Sequence, residues 1–322
     1  MARPTMRARK RGYPVTQPMR IQARQGSLAE RAYYANSSLP GFVLPLPKAI
    51  APGISPAPLE DLLFHGGKVV PQMGFQNIYL GSPADFSEGD TGLIDAAITS
   101  AMRSKALNNV MVQYFPGASL VCDPRPSLVL NEPNPQELDE PDVQAKVIAL
   151  FDSGQISKKD IDTTIFNLVL PLRTVLRLGT SSSLSGLGGY HGSVHIQRSG
   201  KRVTLYYSAN VFSQMLSPVR ENGIVAFNKP WKNVVGTLYH ELNEFRTDAD
   251  VNDAIKERSN DFLGWSSRSG RECGDQPIFA ASSLDLVFKE VLAGKKKIPV
   301  QFMYSNAVHG AEGPIATPHA QV

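Results

Sequence analysis

The sequence predicts an α+β domain, with helices packed on a mixed sheet, behind an extended N-terminal arm. Three features predict it. Short apolar runs closed by Gly and Pro read as strands, runs with apolar residues at i, i+3/i+4 read as helices, and an opening stretch rich in Pro and Arg reads as neither. The expected division is an arm over 1–58, a domain over 59–310 and a tail over 311–322.

In the arm, Pro45, Pro47, Pro52, Pro56 and Pro58 forbid regular helix and favour extended backbone. Phe75–Leu80 then reads as a strand, opened by Gly74 and closed by Gly81-Ser82-Pro83. Thr91–Leu107 places Leu93, Ile94, Ala97, Ile98, Ala101 and Met102 on one helical face, with Asp90 as N-cap. Val110–Phe115 is expected to return as a strand. The prolines of 123–142 predict a surface excursion over a cleft. Val143–Phe151 and Lys159–Thr164 read as short helices and Thr164–Leu170 as a buried strand.

The Ser- and Gly-rich run 180–189 reads as a mobile loop or a cleft rim. Val194–Gln197 and Val203–Tyr207 flank Arg198-Ser199-Gly200-Lys201, the pattern of a β-hairpin. A further helix is expected from about Trp231–Asn233 to Asp248.

At 322 residues the chain can bury a large core, and 42% apolar with 19% charged residues is neither disordered nor membrane-like. No apolar run is long enough to span a bilayer. The net charge of +4 is uneven. Residues 1–31 carry eight basic side chains against Glu30, leaving 25 basic against 28 acidic in the remainder. The Arg7–Arg11 cluster is short and lacks interleaved aromatics, so it does not indicate nucleic acid; the arm is expected to be solvated or to pack, on the body or in an assembly. No apolar core of about 7–15 residues follows the basic start, so a secretory signal is not expected. The expected location is therefore cytoplasmic, or outside by another export route. Cys122 and Cys273 allow one disulfide at most.

The chemistry concentrates in Leu238-Tyr239-His240-Glu241-Leu242-Asn243-Glu244-Phe245-Arg246-Thr247-Asp248. On a helix His240 and Glu244, at i and i+4, lie one above the other and can clamp one metal ion. The pattern is the His-Glu-x-x-His helix of zinc peptidases with Glu244 in place of the second histidine, which makes the site harder. Glu241 stands where those enzymes keep the general base. The competing reading is a solvated acidic helix face. The downstream loop Gly270-Arg271-Glu272-Cys273-Gly274-Asp275 weighs against it, because it returns Glu272 and Asp275 as a further ligand and an acceptor for the His240 ring N–H. Which carboxylate takes which role stays open. Asp248 falls beside Glu241 on the wheel rather than between the ligands.

Taken in order, several pieces resemble the phosphate-induced (EXORDIUM-like) proteins of plants and their bacterial relatives. They are His65-Gly66-Gly67, Asn77-Ile78-Tyr79-Leu80-Gly81, Gly189-Tyr190-His191-Gly192, the His240–Asp248 helix, Gly264-Trp265, Glu272–Asp275 and Val300–Asn306. That family is similar to zincin-type metallopeptidases and its members are mostly exported. The resemblance spans about residues 60–310 and implies a zincin-like mixed sheet with its metal helix beneath. It also implies Zn2+ or another divalent ion on His240, Glu244, Glu272 and Asp275, with Glu241 as base. Tyr190 or His191, at a strand edge that pairs with extended substrate, would steady an oxyanion. The implied function is a metal-dependent hydrolase acting on peptide or protein; the alternative is a non-catalytic zincin-like module with a structural ion or none.

Overall fold

The computed structural model describes residue 51 and residues 53–320. Most of the arm lies outside these residues, and with it the reading of residues 1–50. A mixed sheet organises the rest. Its strands are β1 (Gln72–Tyr79), β2 (Val121–Pro124), β3 (Leu128–Val129), β4 (Thr164–Val169), β5 (Gly189–Arg198) and β6 (Lys201–Asn210), in the order β2-β1-β4-β6-β5 with β3 also beside β1. Neighbours run parallel except β5, which pairs antiparallel with β6 at the edge.

Helices cover both faces. They are α1 (Asp90–Met102), α2 (Lys105–Met111), α3 (Glu140–Asp152), α4 (Pro230–Thr247), α5 (Val251–Glu257) and α6 (Asp275–Ala280). The pleat sorts side chains between two cores. Phe75, Tyr79, Ile165, Val169 and Tyr206 pack towards α1 and α4, whereas Ile78, Phe166, Leu168, Tyr207 and Ala209 pack towards Val143, Val147 and Leu150 of α3. These strands are therefore buried on both sides, and β4 is buried at every position, its apolar run interrupted only by Asn167.

A buried polar ladder crosses the α4 side of the sheet. Asn77 donates to Asp95 of α1, Asn167 to Asn77, Ser208 to Asn167 and Asn210 to Ser208, each at 2.8–2.9 Å. These bonds tie β1, β4 and β6 together where an apolar layer would leave register less defined. Two hairpins close the chain. β7 (Phe288–Ala293) pairs with β8 (Lys296–Gln301), and β9 (Met303–Ser305) with β10 (Gly310–Glu312), β8 lying against α4.

The α+β expectation holds, with local corrections. The run Val110–Phe115 is not a strand. Leu107, Val110, Met111 and Tyr114 are spaced three to four apart and bury one helical face through α2 and the 3-10 turn Val112–Tyr114. The helix read over Thr91–Leu107 breaks after Met102, and its N-cap is Gly89 at φ 78° rather than Asp90. The stretch Lys159–Thr164 supplies only the turn Ile161–Thr163. The expected hairpin is present, turned by Ser199 and Gly200, both at positive φ, as a two-residue turn of that hand requires.

The excursion at 123–142 is tied down: β2 and β3 pair with β1, Glu137–Leu138 pairs with Val175–Leu176, and α3 begins at Glu140. The run 180–189 is knitted in, with buried Ser183 accepting the Leu176 N–H on its Oγ and the Gly223 N–H on its carbonyl. At the ends, Ala51 and Ile54 are buried in a third core with Ile278 and Val287, and Asn109 donates to the carbonyls of Ile315 and Ala316. No helix among the described residues is long and apolar enough to cross a membrane.

Candidate metal centre

Helix α4 begins with Pro230 at its first position, where a missing N–H costs nothing, and stays buried from Asn233 to Thr247. A helix so enclosed is expected to be apolar all round. This one turns His240, Glu241 and Glu244 inward, each fully buried. The acidic face is therefore not a solvated one.

Four segments meet there. Strand β5 brings His191, the residues around α6 bring Glu272, Gly274 and Asp275, β8 brings Gln301, and the end of α4 brings Asp248. Gln301 fixes the His240 ring. Its Nε2 donates to the Gly274 carbonyl, so its Oε1 is an acceptor, 2.8 Å from His240 Nδ1. The imidazole proton is thereby held on Nδ1 and Nε2 is left facing the carboxylates. Nε2 lies 2.9 Å from Glu244 Oε1 and 3.8 Å from Asp275 Oδ1 yet makes a hydrogen bond to neither. The Gly274 N–H donates to the same Glu244 Oε1 at 3.1 Å, and the Glu272 N–H holds Asp275 Oδ2 at 3.1 Å. Glycine is required at 274, since a Cβ there would stand 2.5 Å from His240 Nδ1.

His191 mirrors this arrangement. Its Nε2 lies 3.0 Å from the Asp248 carbonyl, and its Nδ1 lies 3.3 Å from Glu241 Oε2 and 3.8 Å from Glu244 Oε2. Glu272 Oε1 stands 3.7 Å from His191 Nε2. Glu241 Oε1, Glu244 Oε2, Asp275 Oδ1 and both carboxylate oxygens of Glu272 have no hydrogen-bond partner among the described residues.

Burial governs the electrostatics. Desolvation, with the neighbouring carboxylates adding to it, pushes Glu244, Glu272 and Asp275 well above the usual carboxyl range. Burial likewise raises Asp248 to about 7, despite its bond from the Gly264 N–H. Burial works to lower His191, but the adjacent Glu241 and Glu244 carboxylates outweigh it and lift the ring.

A divalent ion fits this donor set. His240, Glu244 and Asp275 each offer a ligand atom, and so do His191, Glu241 and Glu244, every donor within a group lying within 4.8 Å of the others. Ion–donor distances of about 2.0–2.2 Å leave neighbouring donors separated by about 3–3.5 Å, close to the spacings seen. Buried carboxylate oxygens without partners are costly unless a cation joins them. One histidine with several carboxylates is a hard set, open to zinc, manganese or calcium.

Of the expected site residues, His191, His240, Glu241, Glu244, Glu272 and Asp275 come together. Tyr190 does not. The pleat sends it to the opposite face, where its ring packs edge-on against Tyr207 at 6.2 Å in the α3 core. The loop carboxylates stand at different positions. Asp275 faces the same His240 nitrogen as Glu244, Glu272 approaches His191, and the residue orienting the His240 ring is Gln301, which the sequence reading missed. The available signal was a lone amide in the apolar run Ile298–Tyr304. Cys273 is a buried free thiol beside Thr247 Oγ, at 3.5 Å.

The expected cleft is absent at this point: every one of these side chains is at most 2% exposed. The outer edge of β5 is also engaged, because Asn252 of α5 accepts the Ser193 N–H at 3.3 Å. No protein-family model, curated protein or solved structure matches the chain.

Proposed function

We propose that the protein is a metal-dependent hydrolase of zincin type, acting on a peptide or protein, with its ion on His240, Glu244 and Asp275. One observation carries this reading. His240 Nε2, on a ring whose Nδ1 is turned to Gln301 Oε1, faces two buried carboxylates at 2.9 and 3.8 Å without a hydrogen bond to either. The antiparallel edge strand beside α4, bearing His191, supports a zincin-like arrangement, as does the position of Glu241 one step round the helix.

A divalent ion bound there supplies Lewis acidity, polarising a carbonyl and making water easier to deprotonate. The protein's own groups do the rest. Gln301 orients His240, and the Gly274 N–H holds Glu244. Glu241, with Oε1 unpartnered, takes the proton of the attacking water. His191 Nδ1 lies 3.3 Å from Glu241 Oε2, against the base rather than where it would meet an oxyanion directly.

A second reading has its own support. The enclosure of every ligand atom and the capped edge of β5 are what a structural ion in a non-catalytic module would show. Metal analysis of protein purified without chelator, with peptide-library cleavage by the loaded protein, separates the two. Stoichiometric metal with cleavage supports the hydrolase. Metal without cleavage sinks it in favour of the structural module, and absence of metal sinks the centre itself.

A further inference from the structure

The two histidines are built alike. His240 directs its proton to Gln301 and leaves Nε2 towards Glu244 Oε1 and Asp275 Oδ1. His191 has a backbone carbonyl, that of Asp248, 3.0 Å from Nε2. A carbonyl can only accept, so the His191 proton belongs on Nε2, leaving Nδ1 towards Glu241 Oε2 and Glu244 Oε2 at 3.3 and 3.8 Å. Glu244 thus offers one oxygen to each imidazole, the disposition of a bridging carboxylate. Its Oε2 has no hydrogen-bond partner although the side chain is fully buried.

Charge points the same way. Glu241, Glu244, Glu272 and Asp275 carry four negative charges when ionised, in a region that no Lys or Arg joins by an ion pair among the described residues. One divalent ion balances two of those charges. Leaving the other two unbalanced out of water is costly. A second divalent ion, close to the first and on the far oxygen of Glu244, balances the set.

We infer that the centre is dinuclear. The first ion sits on His240, Glu244 Oε1 and Asp275, the second on His191 Nδ1, Glu241 and Glu244 Oε2, with Glu244 bridging. This rests on the metal reading above and deepens it. Glu241 becomes a ligand of the second ion instead of the lone base, and the second ion shares the task of making water easier to deprotonate. The competing arrangement is a doubly protonated His191 that donates to Asp248 and Glu241 at once and serves as a fixed positive charge, with one ion per chain.

The test loads the full-length protein with Mn2+ after chelator treatment, and reads ions per chain by mass spectrometry and electron spin resonance. Two ions per chain with an exchange-coupled spectrum are expected. His191→Gln and Glu241→Gln should each fall to one ion with the spectrum of an isolated ion, while His240→Ala should remove the first site. One isolated Mn2+ in the parent, kept by His191→Gln and lost by His240→Ala, overturns the second site and leaves the first standing. No bound ion in the parent overturns both. Two ions retained in both His191→Gln and Glu241→Gln overturn the ligand assignment. If the variants fail to fold, the parent's stoichiometry and coupling decide alone.

Discussion

Gln301 Oε1 lies 2.8 Å from His240 Nδ1, and this bond between β8 and α4 decides which imidazole nitrogen faces the carboxylates. Gln301→Leu removes the acceptor and leaves His240 Nδ1 buried without a partner. Outer-shell changes of this kind cost about 10–100-fold in metal affinity, and unsatisfied buried groups about 1–3 kcal/mol each. Competition against a chelating dye and chemical denaturation measure the two losses. Unchanged affinity would mean that the ring is held by something else.

Gly274→Ala places a methyl 2.5 Å from the same nitrogen. The ring or the loop must shift, and overpacking of this sort costs about 1–3 kcal/mol. Metal affinity should fall with stability, because the Gly274 N–H also holds Glu244. A variant with parental melting and metal uptake would show that the loop yields freely.

Glu241→Gln and His240→Ala separate the chemistry from the ion on His240. Glu241→Gln should keep the ion on His240, Glu244 and Asp275 while turnover drops about 10²–10⁴-fold, the usual contribution of a general base. His240→Ala should lose that ion and stability together, since ion binding is linked to the folded state. Loss of that ion from both variants alike would mean that the roles are wrongly divided.

Proton linkage gives a test without activity. Burial raises Glu244, Glu272 and Asp275, and Asp248 to about 7, so the folded metal-free chain holds protons that the unfolded chain has released. What these groups contribute to the stability of the metal-free protein is then fully present below about pH 4, where unfolded carboxyls titrate, and is lost as pH rises through about 7 for Asp248 and through the raised range of the other three. Metal replaces the protons, so the loaded protein should lose this decline and binding should release protons to the buffer. Melting curves with chelator and with metal across pH check both; a metal-free protein that gains stability from pH 5 to 8 contradicts the assignment.

Truncation tests where the domain begins. Deleting residues 1–30, rich in Arg and Pro, should leave the melting temperature unchanged, because such a segment buries little apolar area. Extending the deletion through residue 56 removes Ala51 and Ile54 from their core. That should cost about 2–4 kcal/mol, by the usual burial of one large and one small apolar side chain with the cavity left behind. Equal losses from both truncations would place the first thirty residues in the packing as well.

What the sequence determined by itself was local. The i, i+4 placement of His240 and Glu244 follows from helical geometry, the β5–β6 turn from Ser199-Gly200, and β4 from a largely apolar run; each signal lies within a few residues. The error at Val110–Phe115 shows the limit of that reading, since a short apolar run suits strand and helix equally until its partners are known. Tertiary structure alone decided what joins the helix. Gln301 and His191 lie 61 and 50 residues from their partners in α4, and no local period links them. The pleat parity that brings His191 in and turns Tyr190 out depends on which face of β5 meets α4. Enclosure was equally illegible: the same carboxylates on an open helix face would be solvated, and only packing by β5, β8 and the α6 loop takes the water away and makes a cation their natural partner.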